Sequence, residues 1–187
     1  MSALGKIGDR VKNCTRCRLH LTRKNAVPGD GNENTEIMFV GEAPGKNEDE
    51  VGRPFVGRAG QFLDFALAEA GLDRKDVFIT NVVKCRPPGN RDPADDEIES
   101  CSPYLDEQIE AIKPGVICTL GKFATGYILS SYGFEMEPIS RIHGRIYAVP
   151  VAMMKIIPMY HPAATIYNPS LKGQFLEDMA VVAGAIK

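Results

Sequence analysis

The sequence lacks an excess of basic charge: 22 Lys and Arg against 24 Asp and Glu leave a formal charge of −2. No protein-wide positive field marks it for nucleic acid, so any polyanion has to be met by a local basic patch. It also lacks a long apolar run. The opening MSALGKIGDRVKNC reads as neither a signal peptide nor a membrane span, which predicts no membrane partner and a cytoplasmic location. No internal repeat, linker or low-complexity tract interrupts the 187 residues, and a single domain over 1–187 is expected. Histidine is scarce, with three, and cysteine numbers five. In a reducing compartment such cysteines are thiols or metal ligands rather than a disulfide framework. What remains, 44% hydrophobic and 25% charged residues, is the composition of an ordinary globular chain.

Strand and helix patterns alternate. Glu36–Val40, Val77–Val83, Gly115–Leu120 and a run opening at Ile156-Ile157 are short, β-branched and nearly continuously apolar, as strands buried on both faces should be. Arg145–Val149 reads as a further short strand beside the last. Helical spacing is evident over residues 3–13, Gln61–Ala70, the stretch from Asp92-Pro93 to about Lys113 (with Pro93 at the first helical position), Lys122–Ser131 and Gln174–Ile186. This order predicts an α/β/α sandwich around a mostly parallel sheet.

In such sheets the carboxyl ends of the strands share one edge, where ligands bind. Three irregular loops converge there: Gly41–Gly60, Asn81–Pro93 and Met159–Ser170. They bring Glu42, Glu48, Phe55, Asn81, Asn90 and His161 to one crevice. An amide offers a donor and an acceptor, an imidazole can donate to a developing anion, and phenylalanine supplies a flat surface. That set suits a planar heterocycle such as a nucleobase. Lys84, Arg86, Arg91, Arg53 and Arg58 are placed to meet phosphates around it. Singly, each residue has a plainer reading: Asn81 as a turn former, Phe55 as a core anchor, His161 as structural. Their shared edge favours the site. His20 and His143 fall outside the three loops and read as structural or surface residues.

Cys14 and Cys17 form a CxxC pair, and Cys85 and Cys101 flank a loop-to-helix segment. Four thiolates so arranged can hold zinc or an iron–sulfur cluster. The fifteen residues between the second pair are unlike a zinc ribbon and favour the cluster. Cys118, inside an apolar strand, reads as a small core residue.

Taken together, Gly41-Glu-Ala-Pro-Gly45 with Glu48-Asp49, Gly52-Arg-Pro-Phe-Val-Gly57, Asn81-Val-Val-Lys-Cys85, Pro87-Pro-Gly-Asn-Arg91 and Tyr160-His-Pro162 resemble the family 4 uracil-DNA glycosylases, the iron–sulfur type of bacteria and archaea. The resemblance runs from Cys14 to the C-terminal helix. It implies a central four-stranded parallel sheet and a structural [4Fe-4S] cluster on Cys14, Cys17, Cys85 and Cys101, with zinc the alternative, tying down residues 1–30. It implies that Phe55 stacks on a flipped uracil, Asn81 pairs with its O4/N3 edge, His161 donates to O2, and Glu42-Ala43 line the pocket. Ala164, Thr165 and Ile166 would enter the duplex, with Arg86 and Arg91 on the backbone.

The expected activity is hydrolysis of the deoxyuridine N-glycosidic bond in single- or double-stranded DNA by a monomer, associated with the nucleoid when at work. Where the best-known uracil-DNA glycosylases carry an aspartate this chain has Ala43, so Asn90 or Glu48, or else Glu42, is left to position the water. Two other readings are a broader deaminated-base glycosylase and a non-catalytic, cluster-bearing DNA-binding module.

Overall fold

Apolar runs too short for helices build the centre of the molecule, a twisted sheet seen in the computed structural model, which describes residues 2–186. In chain order the elements are α1 (Ala3–Lys12), β1 (Asp30–Gly31), β2 (Ile37–Gly41), α2 (Lys46–Val51), α3 (Arg58–Glu69), β3 (Phe78–Asn81), α4 (Asp95–Ile112), β4 (Val116–Leu120), α5 (Lys122–Ser131), α6 (Ile139–Ile142), β5 (Tyr147–Val149), β6 (Met154–Met159), α7 (Ala164–Tyr167) and α8 (Leu171–Ala185). The sheet order is β1-β3-β2-β4-β6-β5. Strands β3, β2, β4 and β6 are mutually parallel, in the register Met38↔Phe78, Ile37↔Val116 and Val116↔Lys155. The two short edge strands, β1 and β5, run antiparallel.

Alternation along each strand splits the core between two faces. Met38, Val40, Ile117 and Ile156 pack with Leu4, Ile7 and Val11 of α1, Tyr104 and Leu105 of α4, and Ile128 and Leu129 of α5. Ile37, Phe39, Cys118, Ile157 and Met159 pack with Leu63 and Leu67 of α3 and Phe175, Met179 and Val182 of α8. Burying one such aliphatic or aromatic side chain contributes about 1.5–3 kcal/mol, so these two faces, rather than helix propensity, hold the three layers together. Cys118 is a core residue here, fully buried.

Four departures from the sequence pattern bear on the site. The sheet has six strands, because Asp30–Gly31 and Tyr147–Val149 add antiparallel edges to the four parallel ones. The stretch Gly41–Gly60 is not irregular throughout: Glu48 accepts from the Gly45 N–H at 3.1 Å and caps a short helix, α2. Helix α4 starts at Asp95 with Ala94 as its N-cap, so Pro93 lies outside it. Glu97 closes that start by accepting from the Ala94 N–H at 2.8 Å. Strand β3 ends at Asn81, and the next two amides donate to the turn beyond β2, Val82 to the Gly41 carbonyl and Val83 to that of Glu42, each at 2.9 Å. Among the described residues no helix is long and apolar enough to cross a membrane.

Candidate active site

Because β2, β3 and β6 are parallel, the loops leaving them open on one edge, and there they enclose a cavity of about 300 Å³. Glu42, Ala43, Glu48, Phe55, Asn81, Asn90 and His161 all line it, together with Pro44, Gly45, Ala59 and Ala163.

Asn81 is buried at the last position of β3. Its Oδ1 is buried without a hydrogen-bond partner, the one such side-chain atom among the described residues. An acceptor held in that state costs roughly 1–3 kcal/mol, a cost that a ligand N–H would remove. Gly41, paired with Asn81 in the sheet, leaves the room: a Cβ there would overlap both Asn81 Oδ1 and the Phe55 ring. Phe55 is buried, with its backbone in the left-handed region at φ 50°. Its ring centroid lies 5.7 Å from that of His161.

His161 follows β6 and is largely buried. Its Nδ1 accepts from the Ala163 N–H at 3.1 Å. The neutral ring therefore carries its proton on Nε2. Burial pulls its pKa down to about 4, so at neutral pH it is an uncharged donor.

The carboxylates separate by environment. Glu48 Oε1 accepts from the Val56 and Gly57 amides at 2.9 and 3.0 Å while Oε2 takes Gly45. It braces the two ends of the loop that carries Phe55, and both oxygens are already engaged. Asn90 Oδ1 accepts from Arg86 Nε at 2.7 Å, so its acceptor is engaged as well. Glu42 is half-buried, and its pKa is raised to about 7 by burial first and by the nearby Asp92 second, with Lys122 opposing. Neither the bracing by Glu48 nor the availability of Glu42 has a local signature in the sequence, because both depend on tertiary packing.

The basic residues behave unequally. Lys84 does not meet phosphate: it is 1% exposed. Its Nζ donates to Thr80 Oγ1, the Asn81 carbonyl and Gln108 Oε1 at 2.7, 2.6 and 2.7 Å. Arg91 points its fork at the buried carboxylate of Glu97, at 2.6 and 2.8 Å. Arg53 pairs with Asp30. Arg58 is exposed at the start of α3 and Arg86 is partly exposed. In the last loop Thr165 is fully buried, its hydroxyl donating to the Pro162 carbonyl at 2.7 Å, so it presents no side chain outward. Ala164 and Ile166 are half-buried. The group that does project is Tyr167, 88% exposed. The helical pattern of this short segment is too brief to reveal which face is free.

Cys14, Cys17, Cys85 and Cys101 line a second, small hollow on the far side of Lys84. Donors are aimed at their sulfurs: Lys84 N to Cys101 at 3.2 Å, Arg23 Nη1 to Cys85 at 3.1 Å, and Arg16 N to Cys14 at 3.5 Å. Among the described residues no group of three or more His, Cys, Asp or Glu side chains is drawn together as a single metal ion requires. His20 lines this hollow and donates from Nδ1 to the Cys17 carbonyl, and His143 pairs with Asp178; neither lines the cavity around Asn81.

Residues 28–180 match the model of the uracil DNA glycosylase superfamily. The chain is 51% identical to a protein named type-4 uracil-DNA glycosylase from Saccharolobus solfataricus, over all of this chain and 88% of that one. It is 49% identical to one from Archaeoglobus fulgidus, over 95% and 90% of the two chains. It is 44% identical to one from Thermotoga maritima, over 97% and 93%.

Proposed function

The chain belongs to the type-4 uracil-DNA glycosylases, and on that premise we propose how its pocket removes uracil from DNA. The enzyme hydrolyses the N-glycosidic bond, and the reading of the chain as a non-catalytic binding module falls away. A base inside a duplex cannot be reached, so the deoxyuridine leaves the stack at a cost of a few kcal/mol. It enters the cavity against Phe55.

The observation that carries the assignment of the base is the buried, unpaired Oδ1 of Asn81. Uracil presents an N3–H donor beside an O4 acceptor, which an amide matches with Oδ1 and Nδ2 in turn. Cytosine presents the reverse pattern and leaves both amide groups facing like partners. The N1–C1′ bond then breaks towards a uracil anion and a sugar of oxocarbenium character. His161 Nε2–H, held by the Ala163 contact at Nδ1, donates to O2 as the negative charge develops there. A single donor of this kind supplies about 3 kcal/mol.

Glu42 takes the role of orienting the water and accepting its proton, ahead of Glu48 and Asn90, whose acceptor oxygens are engaged. A pKa near 7 suits a base working at neutral pH. No lysine lines the cavity, so the product is an abasic site and free uracil without β-elimination.

The four cysteines are the ligands of a [4Fe-4S] cluster, which when bound fastens the N-terminal segment to the β3 loop and α4. One feature supports a cluster. The N–H donors aimed at three of the sulfurs are the kind of neighbours that tune cluster thiolates.

The test is incubation with a uracil-containing oligonucleotide, then alkali and heat. Strand scission at the uracil is expected for the wild type and is lost in Asn81→Ala. Intact strands with the wild-type protein would overturn the reading. A colourless preparation with stoichiometric zinc would overturn the cluster.

A further inference from the structure

Phe55 holds a backbone conformation that a bulky residue does not adopt unaided, at φ 50°, and something must hold it there. Gly60 gives room below, since a Cβ at that position would collide with the Phe55 carbonyl. Glu48 pins the two amides that follow, Val56 and Gly57. The remaining backbone groups, the carbonyls of Pro54 and Phe55, accept from Arg74 at 2.6 and 3.0 Å, from Nη2 and Nη1 respectively. Arg74 stands in the turn before β3, outside the cavity lining, with its side chain 22% exposed. Asp64 of α3 accepts from Nη1 as well, at 2.8 Å, and anchors the guanidinium. A planar fork spanning two successive carbonyls fixes the two peptide planes that flank the Phe55 Cα, and these set the direction of its Cα–Cβ bond.

We propose that Arg74 is a positioning residue that sets the plane of the Phe55 ring, and thereby the affinity of the pocket for the planar pyrimidine. The inference rests on the reading of Phe55 as the uracil platform. It makes Arg74 a determinant of base binding that touches neither base nor DNA.

The test compares Arg74→Met, Arg74→Lys and Asp64→Asn by inhibition with free uracil, by KM and kcat on a uracil-containing oligonucleotide, and by thermal unfolding. Arg74→Met should raise both the uracil inhibition constant and KM about tenfold with kcat changed less than about threefold, the pattern of lost uniform binding. Arg74→Lys, which replaces the fork with a point donor, should fall between. Asp64→Asn keeps both carbonyl bonds and should leave uracil inhibition at the wild-type level, whatever it does to stability.

The same Arg74→Met change made in Phe55→Ala should have no further effect on uracil inhibition, because the group it acts through is gone. A purely structural arginine would lower the unfolding temperature with unchanged uracil inhibition, or would multiply with Phe55→Ala; either result overturns the proposal. If Arg74→Met does not fold, Arg74→Lys against Asp64→Asn decides, and equal effects of the two overturn it. A wild type that cleaves uracil DNA while Phe55→Ala binds free uracil normally would remove the platform and this proposal together, yet leave the glycosylase activity standing.

Discussion

At the scale of the residue, the proposed chemistry divides between a neutral imidazole and a carboxyl held near neutrality. His161, with its pKa near 4, keeps the same protonation state across the working range, so it contributes no titration above about pH 5. Glu42 is different: its pKa lies near 7, and as a base it must be ionised. Activity should therefore climb as pH rises from 6 to 8, with an inflection near 7. Glu42→Gln should flatten that climb and lower single-turnover kcat by about a hundredfold or more; an unchanged inflection in the variant would assign it to another group. His161→Ala should lower kcat by about a hundred- to a thousandfold with little change in KM, since its bond strengthens only as the anion forms. That Asn81, Phe55 and His161 meet at one cavity was legible in the sequence, because Asn81 ends one apolar strand, His161 follows another, Phe55 lies in the loop stretch after a third, and strand ends share an edge. Ranking the candidates for the water was not. Glu42 and Glu48 are the same residue type and Asn90 also offers an acceptor, and only folding shows that backbone amides occupy Glu48 and Arg86 occupies Asn90.

At the scale of the element, the start of α4 is held by a buried carboxylate between two arginines. Glu97 is fully buried; it accepts from the Ala94 amide, from both Arg91 nitrogens and from Arg18 Nε at 2.9 Å. Arg91 first, with the Ala94 amide and Arg18 helping against burial, pulls its pKa from 4.5 down to about 2. A carboxyl whose folded pKa is depressed stabilises the protein fully above its unfolded value, and that stability is lost as pH falls through the folded one. The window here is pH 4.5 to 2, with a contribution of about 3 kcal/mol. Glu97→Gln should thus unfold more readily at pH 7 and approach wild type at pH 2–3, measured by urea titration; equal offsets at both pH values would sink the idea. Its role as a cap was not readable, since a helix opening at Pro93 puts Asp95 at the third position. Nor were the arginines that meet it, and Arg91 looked like a phosphate contact for that reason. Lys84 misled for the same cause: its acceptors include Gln108, far along the chain, and no local pattern announces a lysine buried by its own hydrogen bonds.

At the scale of the whole molecule, the two hollows share one piece of chain. The residues from Asn81 to Cys101 run from the base pocket to the cysteine cage, with the Lys84 backbone N–H on Cys101 and its Nζ on the Asn81 carbonyl. Cys85→Ser should then lose iron and visible absorbance and also melt at a lower temperature, and a variant that keeps wild-type stability would show that the cage is not a brace. The alternating strands made this α/β/α plan legible from sequence, whereas the short edge strands, fixed by pairing rather than by pattern, were recognised only in part. DNA would be met by a molecule of formal charge −2, and groups free to meet it near the pocket loops include Arg58, which is exposed, Arg86, which is partly so, and Tyr167 in the last loop. The two kinds of contact answer salt differently. An arginine on a phosphate releases a counterion, so Arg86→Ala should flatten the slope of log KM against log salt by about one. An aromatic ring stacked on a base releases none. A base–aromatic stack is worth about 1–3 kcal/mol, so Tyr167→Ala should raise KM several-fold or more at every salt concentration and leave the slope alone. If the ring occupies the gap left by the flipped nucleotide, its loss should weigh more on duplex than on single-stranded uracil DNA, because only the duplex has a stack to hold open. Equal losses on both substrates would place Tyr167 outside the gap, and a changed salt slope would place it on the backbone.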